Sequence, residues 1–342
     1  MDESLAITFT QAFLSYTQAM KSCDYHHPQT GQCSNTLSLS EESEGLCFWH
    51  QNTLKEEEGL KDKLEQQAAE NHRLSGYQLR KSQLSGINLV NIGHKEGFAL
   101  IDCDLYRANL SEAHLFGCDF SGSSLMKADL RFSNLHCANF TGCNLLGTRL
   151  EGCRLDNAVW GEQIIQEQQA KQAKTEASRR DYWQQAEEIY RNLRKATEQE
   201  GLFEISGHFF EREMVMRRFQ MPLFSSRRLF SKIVDAFCGY GERPIRVVMF
   251  SMIAILCFGA GYFLLGINDN DILIAINTNN SLFENIKHFL TCCYFSVVTF
   301  TTLGYGDLTP LGLSRFLAAI EAFIGSFTLA LFVVVFVKKM TR

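Results

Sequence analysis

Charge is missing from three long stretches of this sequence. Residues 247–267 (VVMFSMIAILCFGAGYFLLGI) and 289–306 (FLTCCYFSVVTFTTLGYG) contain none, and residues 316–337 contain only Glu321. Such runs argue against water as the solvent of this end of the chain, because each of the outer two is long enough to cross a hydrocarbon core of about 30 Å as a helix. Nothing at the start resembles a secretory leader, and none is expected: MDESLAITFTQAF opens acidic and its apolar run is short and interrupted. There is no nucleophile–base arrangement and no phosphate-binding loop, which speaks against an enzyme. No span carries arginine at every third position, which removes the usual means of sensing a membrane potential.

The distribution of the charge that is present sets the topology. Arg212, Arg217, Arg218, Arg227, Arg228, Lys232, Arg243 and Arg246 precede the first run, and Lys338, Lys339 and Arg342 follow the last. Between them lie Asp269, Asp271 and Glu284 against Lys287. By the positive-inside rule both outer flanks are cytoplasmic, so the number of crossings is even and the middle run must enter and leave on one side. Two spans are expected at about 245–267 and 313–338, in a bacterial-type inner membrane with both termini cytoplasmic. The first 240 residues carry nearly all the charge and form a cytoplasmic body, where the twelve cysteines are not expected to pair as structural disulfides. The sequence ends five residues past Val337, so control of the membrane part is expected from the N-terminal side.

A non-helical backbone is tolerated at membrane depth only where it lines a watery path, since each unsatisfied N–H or C=O costs several kcal/mol. The middle run reads as a short helix at about 286–300 that descends, with residues 302–306 returning as extended chain. Glycine reaches backbone angles closed to other residues, so Gly304 and Gly306 let successive carbonyl oxygens face one side and replace a cation's water. TTLGYGD after an apolar helix resembles the selectivity filter of potassium channels, and residues 243–342 resemble the simplest two-span, pore-only members. The resemblance implies K⁺ as the permeant ion, ion sites from Thr302, Leu303, Gly304, Tyr305 and Gly306, an outer mouth at Asp307, and a homotetramer to close the ring. This sequence departs from the commonest pattern at Leu303 (usually valine), at Tyr294 and Phe295 (often a tryptophan pair) and at Val298 (glutamate in some members). Gly325, ten residues beyond Arg315, matches the family's gating hinge, with close helix packing as the other reading; Phe332 and Phe336 are candidates for a cytoplasmic gate. Glu321 should face protein or the pore.

From Leu100 to Trp160 every fifth residue is Leu, Phe or Trp, thirteen times without a gap. A small residue stands two positions before each, except at Phe98, and Cys103, Cys118, Cys143 and Cys153 are four of these small inward positions. Fixed-period self-similarity means stacked units. The tract resembles the pentapeptide-repeat family, which implies a right-handed quadrilateral β-helix with four repeats per turn. A weaker register at Leu74, Leu79, Leu84 and Leu89 extends the domain over 72–160; the eleven-residue gap after Leu89 shifts the phase by one and predicts a bulge or loop near Gly93 to Gly97. Acidic and basic residues nearly balance in the tract, so no nucleic-acid role is expected; a cytoplasmic ligand or protein partner is left open.

In residues 1–60, Cys23, Cys33, Cys47 and His50 can place three thiolates and an imidazole around a structural Zn²⁺, with His26 or His27 as competitors. Residues 161–240 read as a helical hairpin and a basic connector: Tyr182, Ala186, Ile189, Leu193 and Ala196 share a helix face, Gly201 ends that helix, and Ile205 to Phe219 form the second. The stretch MRRFQMPLFSSRRLFSK suits either a surface of anionic lipid or ordinary positive-inside flanking. The sequence thus reads as a potassium channel with a cytoplasmic repeat module. Its rivals are a weakly selective cation channel and a membrane-anchored repeat scaffold with a vestigial pore.

Overall fold

The computed structural model describes residues 22–35, 37, 45–71, 74–94, 96–269, 272–278 and 280–340; the acidic opening stretch, Asp271 and Arg342 lie outside the described residues. The chain divides into two compact units, Met1–Gln220 and Met221–Arg342. That boundary falls inside the segment read above as one connector.

In the first unit, β1 (His26–His27) and β2 (Gly31–Gln32) make a short antiparallel hairpin between Cys23 and Cys33. Helix α1 (Leu60–Asn71) follows, unforeseen because its sequence is mostly polar; Leu60, Leu64 and Ala68, one turn apart, bury its single apolar face.

The repeat tract then winds in coils joined by parallel bridges. Ala99 pairs with Asp119, Asp104 with Ser124 and Asn109 with Asp129, a constant step of twenty residues, or four pentapeptides per coil. In the first coil the step is twenty-six, as in Gln78 with Asp104 and Asn88 with His114. The six extra residues are the long gap after Leu89, so the insertion leaves the coil as a loop and the ladder resumes in register. The large residues are buried, with the small ones two positions before them. Two positions after each large residue the backbone turns left-handed: at Gly117, Gly122, Gly142, Gly147 and Gly152, and, against side-chain sterics, at Asp102, Arg107, Glu112, Lys127, Phe132, Cys137 and Asn157. Phe120, Phe140 and Trp160, one coil apart, stack at 5.6 and 4.9 Å.

Both ends of this stack are covered, as a repeat array exposing apolar ends requires. At the far end, the edge of Phe209 meets Trp160 at 5.6 Å. Phe209 belongs to a three-helix set: α2 (Ile165–Gln172), α3 (Glu176–Gln199) and α4 (Phe203–Phe219), of which α2 was not expected. The α3 face is Trp183, Ala186, Ile189, Tyr190, Leu193 and Ala196, and Gly201, at φ +75°, makes the turn to α4. Glu213, almost fully buried, is paired with Arg194 at 2.9 Å and Arg191 at 3.3 Å.

In the second unit, α5 (Ser226–Cys238) places Leu229, Phe230, Ile233 and Phe237 on one side and Arg227, Arg228 and Lys232 on the other, the pattern of a helix lying in a membrane interface. Then come α6 (Pro244–Leu265), β3 (Ile267–Asp269), β4 (Ile272–Ile274), α7 (Leu282–Phe300), β5 (Leu308–Pro310) and α8 (Ser314–Met340). Among the described residues α6 and α8 are long and apolar enough to cross a membrane. The small sheet was not foreseen, since three-residue strands carry little pattern. It has a topological consequence: β3 pairs antiparallel with β5, Ile267 opposite Pro310 and Asp269 opposite Leu308. The chain entering α7 and the chain leaving toward α8 are therefore pinned at the same end of α6.

Candidate ion pathway and metal cluster

Helix α7 starts in a capping box, Ser281 accepting from the Glu284 N–H while Glu284 accepts from the Ser281 N–H. It ends at Phe300 against Gly325 of α8; a Cβ built on Gly325 would lie 2.0 Å from the Phe300 carbonyl oxygen. Gly325 is about 16 Å along α8 from its start at Ser314. The loop therefore turns near half-depth, with the negative end of the α7 dipole directed inward, which favours a cation there.

The return strand alternates in handedness. Thr302, Gly304 and Gly306 have φ of +57°, +59° and +80°, while Leu303 and Tyr305 between them do not take the left-handed form. Two of these positions are glycine, which meets no steric penalty; Thr302 is β-branched and held against its preference. All of residues 302–307 are exposed in the single chain, Leu303 at 58% and Tyr305 at 67%. Lipid cannot cover such a backbone.

Behind the loop, Glu321 is fully buried. It accepts from the Tyr262 hydroxyl of α6 at 2.6 Å and is hydrogen-bonded to Ser296 of α7, whose hydroxyl also lies 2.9 Å from the Ile255 carbonyl. One carboxyl group thus joins both spanning helices to α7. Sequence reasoning missed a second tie, the Tyr294 hydroxyl donating to Asp307 at 2.9 Å, because nothing in the spacing pairs residues across the loop.

In the first unit the four expected metal ligands come together. The Sγ atoms of Cys23, Cys33 and Cys47 and Nδ1 of His50 all lie within 4.8 Å of one another, and Cys33 alone is partly open. Cys33 and Cys47 are 4.0 Å apart, with His50 Nδ1 at 3.5 Å from Cys23 and 3.2 Å from Cys47. A tetrahedral centre with metal–S of about 2.3 Å and metal–N of about 2.0 Å has edges of roughly 3.5 to 3.8 Å, so the donor set fits. His50 Nε2 is 2.9 Å from the Ser75 carbonyl; donating there leaves Nδ1 bare toward the thiols. The hydrogen bond with the Cys33 thiol, and then His50, favour the Cys47 thiolate and hold it below the ordinary thiol range. His26 and His27 stand outside the cluster: His27 Nε2 pairs with Asp102 at 2.7 Å.

Comparison with known proteins finds a match within each unit. A family model described as an ion channel matches residues 250–342, and one described as pentapeptide repeats matches residues 103–136 and 133–159. The chain joins pentapeptide repeats to an ion-channel domain. Neither family is one of enzymes. Among solved structures, the pentapeptide repeat protein Rfr23 of Cyanothece 51142 is 31% identical over 27% of this chain and 59% of its own, with a TM-score of 0.25. HetL of Nostoc sp. strain PCC 7120 is 29% identical over 25% and 38%, with a TM-score of 0.23. The chain spans less than two thirds of either of these proteins. A pentapeptide repeat protein of the Arabidopsis thaliana thylakoid lumen is 20% identical over 34% and 90%, with a TM-score of 0.19. No curated protein matches this chain.

In the channel domain, the residues expected to gate have packing roles of their own. Gly325 meets α7 too closely for any side chain. Phe332 and Phe336 stack on each other at 5.6 Å along one face of α8. The aligned i, i+4 pair makes one aromatic surface rather than two separate plugs.

Proposed function

We propose that four copies of this chain form a potassium-selective channel in a bacterial-type inner membrane, with cytoplasmic termini and passive conduction through Thr302, Leu303, Gly304, Tyr305 and Gly306. The observation that carries this reading is the alternation of left-handed Thr302, Gly304 and Gly306 with Leu303 and Tyr305, in a strand left uncovered at half-depth. That alternation turns successive carbonyls to one side, and four such strands around an axis would both cover one another and surround a dehydrated ion. Asp307 would stand at the outer mouth, Gly325 would serve as the bending point and Phe332 with Phe336 as the inner constriction. Reversal potentials of the reconstituted protein in mixed K⁺ and Na⁺ test the selectivity, and Gly304→Ala should abolish the flux. A weakly selective cation channel is the second reading, favoured by Tyr294 spending its hydroxyl on Asp307 rather than bracing Tyr305.

The cytoplasmic unit we read as a right-handed quadrilateral β-helix with a structural Zn²⁺ at Cys23, Cys33, Cys47 and His50, offering its faces to a ligand or protein. The basic side of α5 suits anionic lipid. Elemental analysis of the purified protein tests the metal.

A further inference from the structure

The four cluster ligands are unequal. Cys23, Cys47 and His50 are buried at 0, 3 and 6% exposure, whereas Cys33 is half-buried and lines a cavity of about 170 Å³ together with Gln32, Asn35, Ser75 and Tyr77. Ser75 is itself 7% exposed, and its hydroxyl has no hydrogen-bond partner. A cavity of this size admits several waters or a small polar molecule. The other thiols of the repeat tract offer a contrast: Cys103, Cys143 and Cys153 donate to the carbonyls of Leu74, Phe120 and Leu130 at 2.7 to 2.8 Å and are sealed in the coil interior.

We propose that Cys33 is the entry point for hydroperoxide-class oxidants, and that its oxidation closes a Cys33–Cys47 disulfide that expels the metal. This rests on the zinc reading of the cluster. With hydrogen peroxide as the oxidant, Cys33, a thiolate when it ligates the metal, attacks one peroxide oxygen; the O–O bond breaks, Cys33 becomes a sulfenic acid and hydroxide leaves. The Cys47 thiolate, 4.0 Å away, then attacks the Cys33 sulfur, the S–O bond breaks and a second hydroxide leaves. Two thiolates lose two electrons, the peroxide gains them, and two protons from solvent convert both hydroxides to water. Stripped of two anionic ligands, the centre no longer holds a divalent cation. Because Cys47 and His50 border the first coil through Trp49 and Ser75, the cap would loosen with it.

The test uses the reduced full-length protein in detergent, in a Cys137→Ser background that removes an exposed thiol. Hydrogen peroxide or glutathione disulfide is added, zinc release is followed with a chromogenic chelator, and thiols are mapped by mass spectrometry. We expect zinc to leave in step with two thiols, a Cys33–Cys47 disulfide, reversal by dithiothreitol with added zinc, and release by peroxide at least about tenfold faster than by glutathione disulfide. Cys33→His keeps four donors and should keep the metal while slowing release by about tenfold or more. Release without Cys33 modification, a disulfide elsewhere, or wild-type release in Cys33→His would overturn the proposal, as would zinc that stays bound through peroxide treatment. A reduced protein without metal would overturn the zinc reading and this proposal with it.

Discussion

Gly325 and Phe300 approach so closely that a Cβ on Gly325 would sit 2.0 Å from the Phe300 carbonyl oxygen and 2.8 Å from its carbonyl carbon. The obstacle is backbone, so it cannot swing aside as a flexible side chain would. Gly325→Ala should therefore displace either α8 or the end of α7, two residues before the left-handed Thr302. We expect single-channel conductance to fall by about tenfold or more, with altered K⁺ over Na⁺ preference, because a misplacement of about 1 Å is costly in an oriented site. If recordings show only a changed open probability, with conductance and selectivity as in the wild type, the contact with Phe300 relaxes cheaply and bending alone is what Gly325 supplies.

Glu321 is held by Tyr262 and Ser296, and replacing it strands the buried Tyr262 hydroxyl, while Ser296 keeps the Ile255 carbonyl. An abandoned polar group costs about 1–3 kcal/mol. Glu321→Ala should thus lower the thermal midpoint of the channel domain in nanodiscs well beyond Glu321→Gln, whose amide still reaches both partners. Equal losses in the two variants would mean that side-chain volume, not the hydrogen bonds, is what α8 supplies here.

Much of this architecture was legible because its driving forces repeat. Thirteen large residues at a spacing of five leave few ways to bury them, and the two apolar runs leave little choice of solvent. What escaped was set by contacts distant in sequence or by conformations against local preference. Helix α1 hides in LKDKLEQQAAEN because Leu60, Leu64 and Ala68 acquire meaning only once a coil end needs a cover. The gap after Leu89 was legible as a bulge or loop near Gly93 to Gly97, while the ladder it interrupts, with a step of twenty-six at the first coil and twenty afterwards, was not. The corner residues carried one visible hint, glycine at five corners such as Gly142 and Gly147, while Phe132 and Cys137 adopt the same left-handed turn with nothing in their chemistry to announce it. In the channel domain Thr302 is the parallel case.

Burial pushes the thiols of Cys103 and Cys118 up to about 12 and that of Cys153 up to about 11, from an ordinary 9.0. A raised value in the fold means that the unfolded chain releases these protons first as the pH climbs. The stability they contribute is intact below about pH 9 and is lost toward pH 11–12, at roughly 1.4 kcal/mol per pH unit for each thiol. All three tryptophans, Trp49, Trp160 and Trp183, lie in the first unit, so tryptophan fluorescence of the full-length protein reads its unfolding alone. Thermal midpoints should drop between pH 9 and 11, and Cys118→Ala should make that drop shallower. An unchanged slope would mean that these thiols do not ionise before the coils open.

Metal removal should act at one end of the repeat stack only. The Trp49 carbonyl accepts from the Gln78 N–H at 2.8 Å, His50 reaches the Ser75 carbonyl, and Trp49 stacks on Tyr77 at 5.2 Å, so the cluster is fastened to the first coil. Coils beyond Asp119 are held by their own ladder and by the column of Phe120, Phe140 and Trp160. In a stacked array each unit depends on its neighbours, so loss of a cap frays the adjoining unit first. Chelation, or Cys47→Ser, should take the metal content from about one per chain to near zero. It should speed amide exchange over residues 74–90 while leaving residues 119–159 close to their protected level. Uniform deprotection of the whole tract would instead mean that the stack folds as one cooperative block, and no deprotection would mean that the cap holds without its metal.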